Sequence, residues 1–200
     1  MSNEAIKWEV KDGVGVVTLN RPGKRNAIND EVLHGLSEAF SALSLNPEAG
    51  VLLLQGAGSN FSAGIDFNFL AQVGRDDGRA PGIRLREEID LIHSILNRIE
   101  QVEKPVVAKI HGFCGGLGME LALTADFRIA AESATLGVPE IILGLIPDCG
   151  GTTRLTRMAG PAWAKRTPYN RGQILYRLGE MLEARTADMT DGLSSRRPAP

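Results

Sequence analysis

The sequence predicts an α/β layered fold, and three features of the first 160 positions carry that expectation. Short aliphatic runs bounded by Gly or Pro recur along the chain. Longer stretches with apolar residues three and four positions apart fall between them. The two kinds of segment alternate, which favours strands and helices packed in layers.

The strands come first. VGVVTL at 14–19, VLLLQ at 51–55 and VVAKI at 106–110 are β-branched or aliphatic and too short for buried helices. Between the first two, Val32, Leu33, Leu36, Ala39, Phe40 and Leu43 repeat at helical spacing after an Asn29 or Asp30 cap, and Pro47 closes the stretch. Between the second and third, Ile89, Ile92, Ile95, Leu96, Ile99 and Val102 predict a longer helix that stops before Pro105. The segment from 73 to 82 is polar and Gly-rich and reads as a mobile loop. Further on, Ile174, Leu175, Leu178, Met181 and Leu182 mark a charged amphipathic helix, and the tail SSRRPAP has no apolar content to fold it.

Composition excludes several classes of function. The chain has 200 residues, 43% hydrophobic and 23% charged, enough to bury a core, and its formal charge of -2 argues against nucleic acid or an anionic membrane as partner. The N-terminus MSNEAIKWEV lacks an apolar or Arg-rich leader pattern, and no run of eighteen apolar residues occurs, so cytoplasm is the expected compartment. Cys114, Cys149, His34, His93 and His111 show no close ligand spacing, which predicts neither a metal site nor a disulfide.

Chemistry concentrates around two glutamates. Glu120 and Glu140 each sit in an apolar run, and a buried carboxylate is costly unless paired or used. Glu120 lies one turn into the helix predicted after the glycine cluster of HGFCGGLGMELALTAD at 111–126, where free backbone N–H groups suit an oxyanion. A solvated helix face is the plainer explanation of a glutamate there, but its apolar neighbours leave little such face. Glu140 follows Pro139 on a rigid turn. In FSAGIDF at 61–67, small residues let a ligand approach the backbone, so the Ile65 N–H can face a substrate oxygen, although a tight turn alone is the commoner reason for such a segment. The GxGxxG and GxxxxGK[ST] spacings of nucleotide sites are absent. In CGGTTRLTRMAG at 149–160, a Gly turn, a Thr cap and a short basic helix are expected, with Arg154 and Arg157 on a solvated face.

Taken together, NRPGKRNAI at 20–28, FSAGID at 61–66, KPVVAKIHGFCGGLGMELALTADFRIA at 104–130 and GVPEIILGLIPDCGGTTRLTRMAG at 137–160 resemble the successive signatures of the enoyl-CoA hydratase/isomerase (crotonase) family, in its order and spacing over residues 8–162. The resemblance implies a spiral of ββα units that assembles as trimers or dimers of trimers and binds acyl-CoA thioesters, with coenzyme A as part of the substrate and no separate cofactor. It implies an oxyanion hole from the amides of Ile65 and Leu117, coenzyme A contacts at Lys24, Arg25 and Ala27, and Ala63, Asp66 and Phe67 flanking the thioester. Glu120 and Glu140 match both catalytic glutamates of the hydratases, and two acids in one site repel, so one of them is expected to stay protonated at neutral pH.

Two departures from the family pattern stand out. Leu117 occupies an oxyanion position that is commonly glycine, so its side chain is expected to narrow the acyl pocket. After Pro161 the sequence leaves the pattern: residues 163–189 resemble an early helical segment of an aldehyde dehydrogenase, without that enzyme's catalytic cysteine or nucleotide motif. The expected organisation is therefore a crotonase-like acyl-CoA-binding core over 1–162, an atypical short helical segment over 163–189 from a fusion, rearrangement or truncation, and a disordered tail over 190–200. Hydration of a 2-enoyl-CoA is the leading expected activity. The rivals are double-bond isomerisation and an acyl-CoA-binding remnant without turnover.

Overall fold

The computed structural model describes residues 4–73, 82–143 and 145–160. Residues 74–81 of the expected mobile loop, the helical segment expected at 163–189 and the tail expected at 190–200 lie outside the described residues.

The sheet forms where aliphatic side chains alternate. Strands β1 (Ile6–Lys11), β2 (Val14–Leu19), β3 (Val51–Gly56), β4 (Val106–Ile110) and β6 (Phe127–Ala130) make one five-stranded sheet in the order β1-β2-β3-β4-β6. Only the β1–β2 pair is antiparallel; β2, β3, β4 and β6 run parallel. Register places Val17 beside Leu54 and Leu54 beside Ala108, and all three are fully buried, so one apolar row crosses the central strands. A second, two-stranded parallel sheet joins β5 (Phe113–Gly115) to β7 (Thr135–Gly137).

Helix α1 (Asp30–Leu45) begins where the sequence expects: the Asn29 side chain accepts a hydrogen bond from the Val32 N–H at 3.2 Å, which satisfies one of the free donors of the first turn. Its buried face is Val32, Leu33, Leu36, Ala39, Phe40 and Leu43, packed on β1, β2 and the helix at Ile83–Glu100. Helix α3 (Ile83–Glu100) starts six residues earlier than its apolar stripe at Ile89, because the first turns are polar, and it ends before Val102. Helix α2 (Phe67–Val73) has no counterpart in the sequence reading. Asp66 starts it by accepting from the Asn68 N–H at 3.0 Å, as an N-cap does.

The remaining helices are short. Helix α4 (Leu117–Ala122) is buried along its whole length. A 3-10 turn at Pro139–Leu143 carries Glu140. Helix α5 (Gly151–Ala159) corrects two expectations. Its N-cap is Gly150 with no side-chain cap, so neither threonine caps it. Arg154 is not on a solvated face; it is 7% exposed and paired with Glu100, whereas Arg157 is exposed. Among the described residues no helix is long and apolar enough to cross a membrane.

Candidate active site

The loop Ser62–Asp66 is held from both sides. On one side the Ser62 N–H donates to Phe113 O at 3.2 Å and the Gly115 N–H donates to Ser62 O at 3.1 Å, joining the loop to β5. On the other, Ala63 N donates to Arg25 O, Ile28 N to Gly64 O, and Asp66 N to Ile28 O, at 2.9, 2.7 and 2.8 Å. In that parallel bridge Ile28 bonds to residues 64 and 66, so the N–H of Ile65 points away from it.

The second amide comes from α4. Leu117 is the first residue of that helix, so its N–H has no acceptor within the helix. Among the described residues neither the Ile65 nor the Leu117 N–H has a protein acceptor. The two segments approach closely at Gly64, which has φ +95°. A Cβ there would lie 2.8 Å from Gly115 O and 3.3 Å from Leu117 N, so no side chain fits between them.

Both glutamates open into one cavity of about 130 Å³ beside these amides. Ile65, Leu117, Glu120 and Glu140 line it together with apolar residues of α2 and α3, among them Phe69, Leu70, Val73, Leu85, Ile89 and Ile92. Glu120 is 2% exposed, and its Oε1 accepts from the Gly151 N–H at 2.7 Å. Burial raises its pKa from 4.5 to about 8, the charges of Glu140 and Asp148 add to the rise, and the N–H groups of Gly151 and Cys149 oppose it. Both Glu140 carboxyl oxygens are buried without a hydrogen-bond partner. Burial raises its pKa as well, with Asp148 adding. Glu140 Oε1 lies over Gly116, the residue before Leu117, 3.5 Å from where a Cβ would stand.

The six other predicted residues fall outside this cavity. Lys24 and Arg25 are exposed and Ala27 is half-buried, on the segment that bonds to the Ser62–Asp66 loop. Ala63 is half-buried in the loop itself, and Phe67 is 63% exposed. Asp66 is paired with Arg21 at 3.0 Å, and Arg21 also donates to Ala27 O at 2.6 Å. Burial pushes the Asp66 carboxyl up, but Arg21 and the N–H groups of Asn68 and Phe69 outweigh it and hold the group below the usual carboxylate range.

Several residues of the cavity were not singled out in the sequence. Glu88, Asp148 and Cys149 line it, and Glu88 Oε2 is buried without a partner. Burial pushes the Cys149 thiol up, with Glu120 and Asp148 adding, so it is not a ready thiolate. Asp148 and Cys149 lie within the same Gly-Pro-rich run as Glu140, a local signal; Glu88 sits on a polar stretch of α3 that carries none. Among the described residues no group of three or more His, Cys, Asp or Glu is placed to hold a metal.

The order of these parts along the chain is that of a known family, and its model for enoyl-CoA hydratase/isomerase matches residues 9–175. The chain belongs to the enoyl-CoA hydratase/isomerase family. Its family match continues past residue 162, where the signatures read from the sequence stop. A crotonyl-CoA hydratase of Syntrophomonas wolfei is 38% identical over 170 residues, covering 84% of this chain and 63% of that protein. A peroxisomal Delta(3,5)-Delta(2,4)-dienoyl-CoA isomerase of Arabidopsis thaliana is 34% identical over 165 residues, covering 80% of this chain and 59% of that protein. The crystal structure of an enoyl-CoA hydratase from Bacillus anthracis superposes with a TM-score of 0.75 at 31% identity, over 96% of this chain and 77% of that one. This enoyl-CoA hydratase/isomerase family chain thus spans less than two thirds of the two relatives' own lengths.

Proposed function

We propose that this chain carries an enoyl-CoA hydratase site, which adds water across the double bond of a 2-enoyl-CoA thioester. The observation that carries the reading is the convergence of two buried acids and two unpartnered amides on one cavity. The Ile65 and Leu117 N–H groups bind the thioester oxygen, where negative charge builds as the α-carbon gains carbanion character. Glu140, whose carboxyl oxygens have no protein partner among the described residues, takes a proton from water as the water oxygen bonds to the β-carbon. Glu120, protonated at neutral pH and held by the Gly151 N–H, delivers a proton to the α-carbon, and the proton that Glu140 has taken from water then passes to Glu120. At neutral pH a proton resides on the pair, in keeping with the raised pKa of both acids.

The remaining assignments rest on the family. Lys24, Arg25 and Ala27 contact the coenzyme A moiety from the outer side of the oxyanion loop, and Ala63, Asp66 and Phe67 flank the thioester. Leu117 is buried and lines the cavity, which supports a narrowed acyl pocket. The partner is an acyl-CoA, the assembly a trimer or hexamer, and the compartment the cytoplasm.

A second reading is double-bond migration. It requires proton removal and return without water, and a third carboxyl, Asp148, lines the same cavity. Initial rates on a 2-enoyl-CoA and a 3-enoyl-CoA separate the two. Wild type is expected to hydrate crotonyl-CoA, and Glu120→Gln and Glu140→Gln are each expected to lose about a hundredfold or more in kcat while calorimetry still detects coenzyme A binding. Unchanged rates in both variants overturn the assignment, and binding without turnover by wild type leaves an acyl-CoA-binding protein.

A further inference from the structure

Glu120 is aimed by a turn, and the turn is aimed by an arginine. Consecutive peptide planes between Asp148 and Gly151 each have their carbonyl held. His93 Nε2 of α3 donates to Asp148 O. The Arg154 guanidinium donates to Cys149 O at 3.0 Å, and the Arg154 backbone N–H donates to Gly150 O at 2.9 Å. In a trans peptide the N–H points opposite to the C=O, so the holds on Asp148 O and Gly150 O turn the N–H groups of Cys149 and Gly151 the other way, and the guanidinium hold on Cys149 O fixes the plane between them, whose own N–H is that of Gly150. Both of those N–H groups reach the Glu120 carboxyl.

The guanidinium is itself anchored. Arg154 Nε and Nη2 both meet Glu100 Oε2 at 2.9 Å, and Nη2 donates to Asn97 Oδ1 at 2.8 Å. A cation that is 7% exposed requires such partners, and its planar fork fixes direction as well as charge. Helix α3 thus grips α5 through Asn97 and Glu100 at the same turn that His93 grips. The fit is close at Gly151, where a Cβ would lie 2.7 Å from Glu120 Oε1.

We propose that Arg154, anchored by Asn97 and Glu100, is a positioning residue that locks the Asp148–Gly151 turn and thereby orients Glu120 for proton transfer. The proposal rests on the hydratase reading for its kinetic consequence but not for its structural one. Glu140, Asp148, Cys149 and Glu88 also face the cavity around Glu120, and the test leaves them unchanged.

The test uses the full chain with Arg154→Lys, Glu100→Gln and Asn97→Ala. Arg154→Lys keeps the charge and removes the fork, and Asn97 and Glu100 are exposed, so their variants are the ones expected to fold if Arg154→Lys does not. Two readouts are taken: crotonyl-CoA hydration from about pH 6 to about pH 10, and the titration of the Glu120 carboxyl by carbon NMR, assigned with Glu120→Gln. Expected for Arg154→Lys are a kcat lower by about tenfold to a hundredfold, a KM within about twofold, and a Glu120 midpoint and alkaline limb moved to higher pH, because the donors that oppose protonation are misaimed. Asn97→Ala and Glu100→Gln are expected to move the same quantities in the same direction by less. Lower thermal stability with an unmoved Glu120 midpoint and unchanged kcat overturns the proposal. A wild-type rate in Glu120→Gln overturns the hydratase reading instead, and the NMR titration still decides the role of Arg154.

Discussion

Replacing Glu120 with glutamine should make the protein more stable as pH rises, relative to wild type. Glu120 is 2% exposed, and its pKa rises from 4.5 to about 8 on folding. The folded state therefore holds a proton that the unfolded state has released, over the interval between those two values. The stabilisation linked to that proton is complete below the unfolded value, declines as pH rises, and is gone above about 8. At about 1.4 kcal/mol per pH unit, the full difference is on the order of 5 kcal/mol. Glutamine keeps an oxygen for the Gly151 N–H but does not titrate, so Glu120→Gln lacks this slope. Urea unfolding of both proteins from about pH 5 to about pH 9 should show wild type losing roughly 4 kcal/mol more than the variant. Parallel pH profiles would refute the claim that Glu120 is buried and protonated.

Three further predictions address the core and the site. Gly151→Ala places a methyl 2.7 Å from Glu120 Oε1 and 3.0 Å from Pro147 Cβ, and is expected to cost about 1 to 3 kcal/mol in urea unfolding along with most of the hydration rate. Phe40→Ala empties a fully buried position on α1 and should cost about 3 to 5 kcal/mol by the same measurement. Asp66 has a lowered pKa, so its stabilisation is present above the ordinary carboxylate value and is lost as pH falls through the folded value. Asp66→Asn should therefore destabilise by about 1 kcal/mol or less near pH 7 and by progressively less as pH falls, as followed by thermal melts.

Local patterns were legible in the sequence, and remote convergence was not. The strands at 14–19, 51–55 and 106–110 were readable because aliphatic runs flanked by Gly and Pro have few other folds. Strand β1 was not, because Lys7, Glu9 and Lys11 alternate outward on a sheet edge and hide its apolar side. Strand β6 exposes Phe127 and Ile129 on another edge, and four residues give too little pattern to read. Glu120 was legible as a buried acid from its neighbours. Arg154 was misread because its partners Asn97 and Glu100 lie over fifty residues away, and no local rule distinguishes a gripped arginine from a solvated one. The same distance conceals the cavity wall, which α2 and α3 supply between the two halves of the motif set.

The double attachment of the Ser62–Asp66 loop has a consequence for how the site comes into being. Its donors are set by residues 25–28 on one side and 113–115 on the other, three stretches brought together from across more than eighty positions. No fragment of the chain holding only one or two of those stretches can present both amides. The geometry is therefore collective, tied to long-range closure of the chain rather than to any single turn. A variant that breaks either attachment should therefore lose the proposed hydration activity even where most of the sheet still forms, which makes turnover a report on long-range closure.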